Sequence, residues 1–173
     1  MALLNTNIGP ERVQVIPQPL GNVQVPGVAT SITAMLISTS VLTAPEHTPT
    51  PVTTLEAFSD VFGGADEAGQ GYYAAKAFFD NAGTGNTLIV VNVGASPTAN
   101  DYIGTAVNGK GLRSLDGIDV IGLVCAPGLD MDVAWLVQPA VIDYAETLRA
   151  EFGATLSTTF ALVSVPKEVT KAR

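Results

Sequence analysis

Apolar residues along the chain fall into two patterns, which predict strands and helices in alternation. Near-continuous apolar runs at residues 31–38, 87–93, 118–126 and 159–165 are typical of strands that are buried on both faces. Between these runs, apolar residues recur at spacings of three and four, as they do in helices with one buried face. Buried strands that alternate with helices predict an α/β fold, a mostly parallel sheet with helices on its faces.

Caps and periodicity predict two helices in the first half of the chain. The first begins at a capping box formed by Thr53 and Glu56 and ends at the glycine pair 63–64. Its predicted buried face consists of Leu55, Phe58 and Phe62. The second follows an acidic loop with Asp66 and Glu67 and runs from about Gln70 to Asn81. The residues that it is expected to bury are Tyr73, Ala77, Phe78 and Phe79.

A third helix is predicted after the apolar run at residues 118–126, with Asp130 or Asp132 as its cap. Proline fits only the first turn of a helix, so Pro139 predicts that the regular helix starts near Gln138. Its predicted buried residues are Val137, Val141, Ala145, Leu148 and Phe152. Residues 43–52 and 94–111 read as loops, and residues 112–115 as a short helical turn.

The first 27 residues contain four prolines and three glycines, which exclude a helix. Two short alternating pieces remain, neither long enough to be stable as a strand alone. These pieces are Val13, Gln14, Val15 and Val23, Gln24, Val25. Residues 1–27 are therefore predicted to be an extended arm whose strands need a sheet edge, either in their own domain or in a neighbour. A frayed terminus is the alternative. Residues 28–173 form the predicted α/β domain.

The segment AGTGN, residues 82–86, raises the question of a phosphate site. Phosphate-binding glycines follow a strand and lead into a helix N-terminus, whose free N–H groups contact the anion. Here Gly83 and Gly85 follow a helix and precede a strand, where the carbonyl groups of the helix end repel phosphate. The turn is predicted to be a joint between two packed elements.

The chain of 173 residues carries a formal charge of −8, and this acidic balance restricts its partners. Phosphate contacts with nucleic acids and binding to anionic membranes both need clustered lysine and arginine. No apolar run reaches the roughly 18 residues of a membrane span, and the N-terminus lacks the features of a signal peptide. We therefore expect no direct nucleic-acid contact and no membrane insertion.

Catalytic side chains are scarce in this sequence. His47, the single histidine, lies in a proline-rich loop, where we expect it to be solvated. The single cysteine, Cys125, is expected to be buried in the middle of a strand, away from the positions that activate thiolates. One histidine and one cysteine form no metal-ligand motif. We expect no catalytic residue, no cofactor and no metal.

Two pairs of aspartates flank the third apolar run. Asp116 and Asp119 precede it, and Asp130 and Asp132 follow it. Turns and helix caps explain both pairs. Because α/β sheets bind ligands beyond the carboxyl ends of their strands, Asp130 and Asp132 are the first positions at which to look for a ligand site.

Four segments across residues 26–128 carry motifs in a fixed order. They are VPGVAT with ITAMLIS, then VTTLEAFSDVFGG, YYAAKAFFDNAGTGNTLIVVNV and GLRSLDGIDVIGLVCAPG. The chain thereby resembles the tail sheath proteins of contractile phages, tailocins and related injection machines. In that family a Pro-Gly-Val segment enters the first core strand, a capped helix ends in Phe-Gly, and a helix with paired aromatics turns through Asn-Gly into a strand. Each motif is degenerate alone, but four in this order are fairly specific.

The resemblance implies a structural role without catalysis. Sheath subunits form stacked rings with copies of themselves around a tail tube protein, assemble from a baseplate towards a tail terminator, and contract to drive the tube through a target envelope. Terminal arms link them by adding strands to neighbours' sheets. On this chain the implied donors are the two Val-Gln-Val pieces of the arm. The implied location is the virion, assembled in the cytoplasm of a bacterial host.

The chain departs from this family in length, because family members are usually much longer. The part that holds their second arm, their strand-receiving sheet and most of their tube contacts has no counterpart here. We expect either a truncated sheath or a short relative that caps or initiates one. A small α/β enzyme or ligand-binding domain is the alternative from fold class alone, and a tail tube, which is mainly antiparallel β, fits the predicted helices less well.

Overall fold

The computed structural model describes residues 32–82, 85–118, 121–148 and 159–164. Over these residues five strands form one mixed sheet with helices packed on it, which confirms the predicted α/β fold. The strands are β1 (Thr33–Ile37), β2 (Thr50–Val52), β3 (Leu88–Asn92), β4 (Leu123–Cys125) and β5 (Phe160–Leu162). The helices are α1 (Leu55–Phe62), α2 (Ala65–Ala68), α3 (Gln70–Ala82), α4 (Ala99–Ile103) and α5 (Met131–Asp143). The predicted arm, residues 1–27, lies outside the described residues, so its strands stay a prediction.

The sheet has the order β2-β3-β1-β4-β5, with β1 at its centre. β1 pairs in parallel with β3 on one side and with β4 on the other, so that Thr33 is in register with both Leu88 and Leu123. β5 extends the sheet in parallel beyond β4, and β2 runs antiparallel along the opposite edge. Every residue of β1 and β3 is buried, as their near-continuous apolar sequences predict.

Alternate strand residues supply two cores on opposite sides of the sheet. Ala34 and Leu36 of β1 belong to a core completed by α4, α5 and the 3₁₀ turn Gly111–Leu115, whose position confirms the predicted helical turn. Met35 and Ile37 belong to the other core, which α1, α2 and α3 cover. The partly buried residues that border this second core include Leu55, Phe78 and Phe79. The protein therefore has three layers, helices on each side of a central sheet.

Helix α1 confirms its predicted buried face but starts one residue later than expected. Phe58 and Phe62 are fully buried. The N-cap is Thr54, not Thr53, because the hydroxyl oxygen of Thr54 accepts a hydrogen bond from the N–H of Ala57 at 3.1 Å. The predicted glycine stop is confirmed, since Gly63 has a φ of +86° and ends the helix. The prediction of an acidic loop after α1 is wrong, because residues 65–68 form the short helix α2.

Helix α3 confirms the second predicted helix but turns a different face inward. Tyr73 and Ala77 are exposed, which contradicts their predicted burial, whereas Gly71 and Ala75 are buried. A Cβ atom at Gly71 would lie 2.8 Å from Cγ2 of Ile37, so the helix approaches β1 at its smallest residue. Close contact with the sheet thus selects the small residues, and the predicted face is right only for Phe78 and Phe79, which are partly buried against the core.

Helix α5 begins near its predicted cap, and the expectation that it starts near Gln138 is wrong. Met131 is its first residue, and Pro139 lies inside it. Pro139 and Trp135 are both exposed, so water can reach the carbonyl group that a proline leaves without its helical partner. The predicted burial of Val137, Val141 and Ala145 is confirmed. The predicted burial of Leu148 and Phe152 concerns side chains outside the described part of the chain.

The strand β2 and the helix α4 were not predicted from the sequence, and β4 and β5 were predicted to be longer strands. The proline-rich loop contains β2, which includes Pro51 and lies at a sheet edge, where proline is tolerated. The stretch at residues 94–111 contains α4, whose capping box joins the N–H of Thr98 to Oδ2 of Asp101 at 2.9 Å. In the described residues of the runs at 118–126 and 159–165, the strands are the three-residue β4 and β5.

Candidate functional site

A cleft of about 560 Å³ lies at the carboxyl ends of three neighbouring parallel strands. Ser38 follows β1, residues 95–97 follow β3, and residues 127–130 follow β4, and all of them line the cleft. The α2–α3 connection and the first turn of α5 complete its walls. The cleft is thus built from loops that a rigid sheet holds in position.

The topology of the sheet explains why the cleft opens here. After β1 the chain passes through the edge strand β2 to α1–α3 on one face of the sheet, and after β4 it continues to α5 on the opposite face. The two connections therefore diverge beyond the adjacent ends of β1 and β4. A divergence of this kind is the usual place for ligands in open α/β sheets.

A close backbone contact shapes one wall of the cleft. Gly128 follows β4 with a φ of +74°, and a Cβ atom at this position would lie 2.4 Å from Cβ of Gln70 at the start of α3. Only glycine fits both the backbone conformation and the space. The glycine therefore lets the loop after β4 pack directly on the N-terminus of α3.

Four carboxylates line the cleft, and none of the described lining residues is a lysine or arginine. The sequence singled out Asp130 and Asp132, and the structure adds Asp66 and Glu67 from α2. Glu67 is engaged, because its Oε2 accepts a hydrogen bond from the N–H of Gly64 at 2.9 Å. Asp130 is the N-cap residue of α5, but its side chain makes no capping hydrogen bond.

Tyr102 lines the cleft from α4 and is 4% exposed, with its ring in the core. The structure gives its hydroxyl group no hydrogen-bond partner among the described residues. Burial, with a smaller effect from the charge of Asp130, raises the pKa of Tyr102 to about 12. The hydroxyl group therefore stays protonated near neutral pH. Sequence reasoning missed Tyr102 because residues 94–111 read as a loop.

The expectation that His47 is solvated is wrong. The residue is half-buried with a φ of +51°, its N–H donates to the carbonyl of Asn92 at 2.7 Å, and its Nδ1 accepts from the N–H of Gly111 at 3.3 Å. Burial lowers the pKa of His47, and the positive charge of Lys110 lowers it further. Its role in the described structure is to join two loops.

Cys125 is buried as expected, but it is the last residue of β4 rather than a mid-strand residue. Burial raises the pKa of its thiol to about 12, so the reactive thiolate is disfavoured. Asp116 accepts a hydrogen bond from the hydroxyl of Tyr144 at 3.0 Å, and Asp119 lies outside the described residues. In the glycine turn, Gly83 is also outside them, but α3 ends at Ala82 and β3 begins at Leu88, which confirms the helix-to-strand order.

The outer edge of β5 has no strand partner among the described residues. The N–H of Phe160 donates to the carbonyl of Gly122 at 2.9 Å. Because N–H directions alternate along a strand, the N–H of Ala161 points away from β4. Phe160 and Leu162 are 69% and 55% exposed. Their register with Leu123 and Cys125 places them on the sheet face that α1–α3 cover, beyond the reach of those helices.

Helix α5 is apolar on its outer face as well as on its buried one. Trp135 is 70% exposed, and Met131, Leu136 and Ile142 are also exposed. A surface helix normally carries polar residues on its outer side, so an apolar outer face indicates a surface that another element or molecule covers.

Neither the protein-family models nor the curated proteins match this chain. Among the described residues, no group of three or more His, Cys, Asp and Glu side chains is arranged to hold a metal ion. In the same residues, no helix combines the length and the apolar character needed to cross a bilayer.

Proposed function

We propose that this chain is a structural subunit of a contractile tail sheath, which polymerises around a tail tube and contracts to drive that tube through the host envelope. The observation that carries the proposal is the open edge of β5 with its exposed apolar side chains. An exposed apolar edge strand is a template for pairing with another chain, and proteins normally protect such edges.

The two edges of the sheet differ in this respect. β2 contains Pro51, which has no N–H group to offer. β5 presents the outward N–H of Ala161 between Phe160 and Leu162. A strand added from outside thus fits the β5 edge better than the β2 edge.

The N-terminal arm supplies donors of matching length in this proposal. Each Val-Gln-Val piece, at residues 13–15 and 23–25, has three residues, as β5 has. In an added strand the valines of one piece lie on one face and the glutamine on the other. The order of the sheath-like motifs across residues 26–128 supports the same function. The outer face of α5 would provide a second contact between subunits.

A small α/β ligand-binding domain is the second candidate, and the cleft at the strand ends is the observation that favours it. The two candidates differ in assembly, because a sheath subunit polymerises and a small ligand-binding domain does not need to.

The test is negative-stain microscopy of the purified chain, alone and co-expressed with a tail tube protein. We expect rings or helical polymers. Ala161→Pro removes the outward N–H and keeps the β4 pairing, so it should abolish polymers while the far-ultraviolet circular dichroism spectrum stays unchanged. Ala161→Val keeps the N–H at a similar side-chain volume and should still assemble. A chain that stays monomeric under all these conditions would overturn the sheath proposal.

A further inference from the structure

The cleft at the strand ends contains acceptors that the sheath proposal does not use. The side-chain carboxylates of Asp66, Asp130 and Asp132 make no hydrogen bond or ion pair with any described residue. Together with Glu67 they give the cleft four carboxylates and no opposing positive charge among its described lining residues. Carboxylates that stabilise helix N-termini explain part of this arrangement, so the acidic rim alone does not define a site.

Tyr102 is the independent observation that points to a ligand. The residue is only 4% exposed and it lines the cleft. Its hydroxyl group has no hydrogen-bond partner among the residues that the structure describes. A buried hydroxyl group without a partner costs free energy, and a ligand that donates a hydrogen bond to its oxygen would offset part of that cost.

The charges around the cleft decide which class of ligand fits. The N-termini of α3 and α5 both border the cleft, and helix N-termini by themselves favour anions. The carboxylates oppose an anion, so a phosphate or carboxylate ligand is excluded. The described acidic residues are also too dispersed for a metal ion. A larger cation with several N–H donors is the class that matches spread-out carboxylates and a hydroxyl oxygen.

We propose that this cleft binds an organic cation, an ammonium or guanidinium group, which donates hydrogen bonds to Asp130 and Asp132 at the rim and to the hydroxyl oxygen of Tyr102 at the floor. Asp66 adds to the negative field on the opposite wall. The proposal does not depend on sheath assembly, because every residue that lines the cleft belongs to a single chain.

Two sources can supply such a group. One is a free amine in solution. The other is a lysine or arginine side chain of this protein, because three of the eight Lys and Arg residues lie within residues 167–173, KEVTKAR, in a chain of net charge −8. Charge complementarity with the acidic cleft favours this segment, from the same or a second copy.

The test uses N-acetylarginine amide as the cationic probe and N-acetylcitrulline amide as its neutral isostere, with binding followed by amide NMR shifts of the full chain carrying Ala161→Pro, the change that is expected to prevent polymers. We expect saturable shifts at the residues that line the cleft, and about tenfold tighter binding of the arginine compound. Asp132→Asn and Asp66→Asn should each weaken its binding, by about tenfold for Asp132→Asn, which loses a direct charged acceptor. Tyr102→Phe should also weaken it, because the ring stays and the hydroxyl is lost.

Asp60→Asn is the matched control, since Asp60 is exposed on α1 and does not line the cleft. It makes the same change of charge and should leave binding unchanged. Equal affinities for the arginine and citrulline compounds would overturn the proposal. Equal losses from Asp60→Asn and Asp132→Asn would overturn it as well. Far-ultraviolet circular dichroism verifies that each variant is folded.

Competition against the arginine probe separates the two sources. A peptide of residues 167–173 that displaces the probe at lower concentration than spermidine would assign the cation to the chain itself. Displacement by spermidine at lower concentration would assign it to a free amine. Displacement by neither would contradict an organic-cation site. These assays do not measure polymer formation. A negative result would therefore contradict the cation site but not the sheath proposal, and an absence of polymers would contradict the sheath proposal but not the cation site.

Discussion

The hydroxyl group of Tyr144 lies 3.0 Å from Oδ1 of Asp116 and donates a hydrogen bond to it. Tyr144 is fully buried directly after α5, and Asp116 directly follows the 3₁₀ turn Gly111–Leu115. The carboxylate of Asp116 also lies 3.6 Å from the guanidinium group of Arg113. The bond therefore joins residues 28 positions apart and holds the end of α5 against the turn on the same face of the sheet.

We expect Tyr144→Phe to lower the free energy of unfolding by about 1–2 kcal/mol, because it removes a hydrogen bond to a charged acceptor while the ring keeps its packing. Urea denaturation at pH 7 measures the change. Tyr73→Phe is the control, since Tyr73 is exposed on α3 and its loss of a hydroxyl should change the stability by less than about 0.5 kcal/mol. Equal effects of the two substitutions would contradict the role given to Tyr144.

Gly111 provides a second prediction, because it combines a left-handed backbone with a very close contact. Its φ is +52°, and a Cβ atom would lie 2.0 Å from the carbonyl oxygen of Tyr102. Gly111→Ala should therefore destabilise the protein by about 3 kcal/mol or more. Gly109 has a similar φ of +59° but no atom within 4 Å of such a Cβ. Gly109→Ala should cost only the backbone term, about 1 kcal/mol. Thermal or urea unfolding of both variants separates the contact from the conformation.

We expect the protein to lose stability in mild acid because of His47. Its pKa in the folded protein is lowered, first by burial and then by the charge of Lys110, and its Nδ1 serves as an acceptor for the N–H of Gly111. Protonation therefore favours the unfolded chain. The contribution is fully present above the unfolded pKa of about 6.5 and is lost as the pH falls from there towards the folded pKa.

The measurement is urea denaturation at several pH values between 7.5 and 5. We expect the free energy of unfolding to decline over this range. His47→Asn tolerates the positive φ and keeps an acceptor without titrating, so it should remove the decline. The chain has one histidine, so a decline that persists in this variant would show that other groups cause it.

The long apolar runs predicted the central strands well, because burial on both faces leaves no alternation to misread. β1 and β3 fall within one or two residues of their predicted limits. The edge strand β2 was missed since Pro51 is typical of a loop, and only the pairing of Thr50 with Val90 makes it a strand. The predicted burial of Tyr73 and Ala77 was wrong because the orientation of α3 about its axis depends on how closely Gly71 can approach Ile37.

The candidate site was only partly predictable. Asp130 and Asp132 were identified from their place after a strand, and both line the cleft. Asp66 and Tyr102 come from elements that the sequence indicated as loops, and their convergence with Asp130 depends on the sheet order. That order places β4 beside β1, which no local pattern specifies. Three-dimensional topology therefore decides which acidic residues share a cleft.

The N-terminal arm carries the most direct prediction about assembly. Deletion of residues 1–26 should leave a folded α/β domain that no longer joins polymers, because the proposed strand donors are lost while the sheet and its two cores lie within the remaining chain. Circular dichroism reports the fold and negative-stain microscopy reports the polymers. Polymers that form without the arm would show that the strands do not link subunits.

Point substitutions within the arm test the mechanism of that linkage. In an added strand, Val13 and Val15 share one face and Gln14 lies on the other. If the valines pack on the apolar surface beside Phe160 and Leu162, Val15→Asp buries a charge and should abolish polymers. Gln14→Asp introduces the same charge on the opposite face and should be tolerated. Because both variants change the net charge equally, a difference between them reports the face of the strand rather than repulsion between acidic subunits. Loss of polymers in both variants would favour repulsion, and polymers in both would exclude residues 13–15 as a donor.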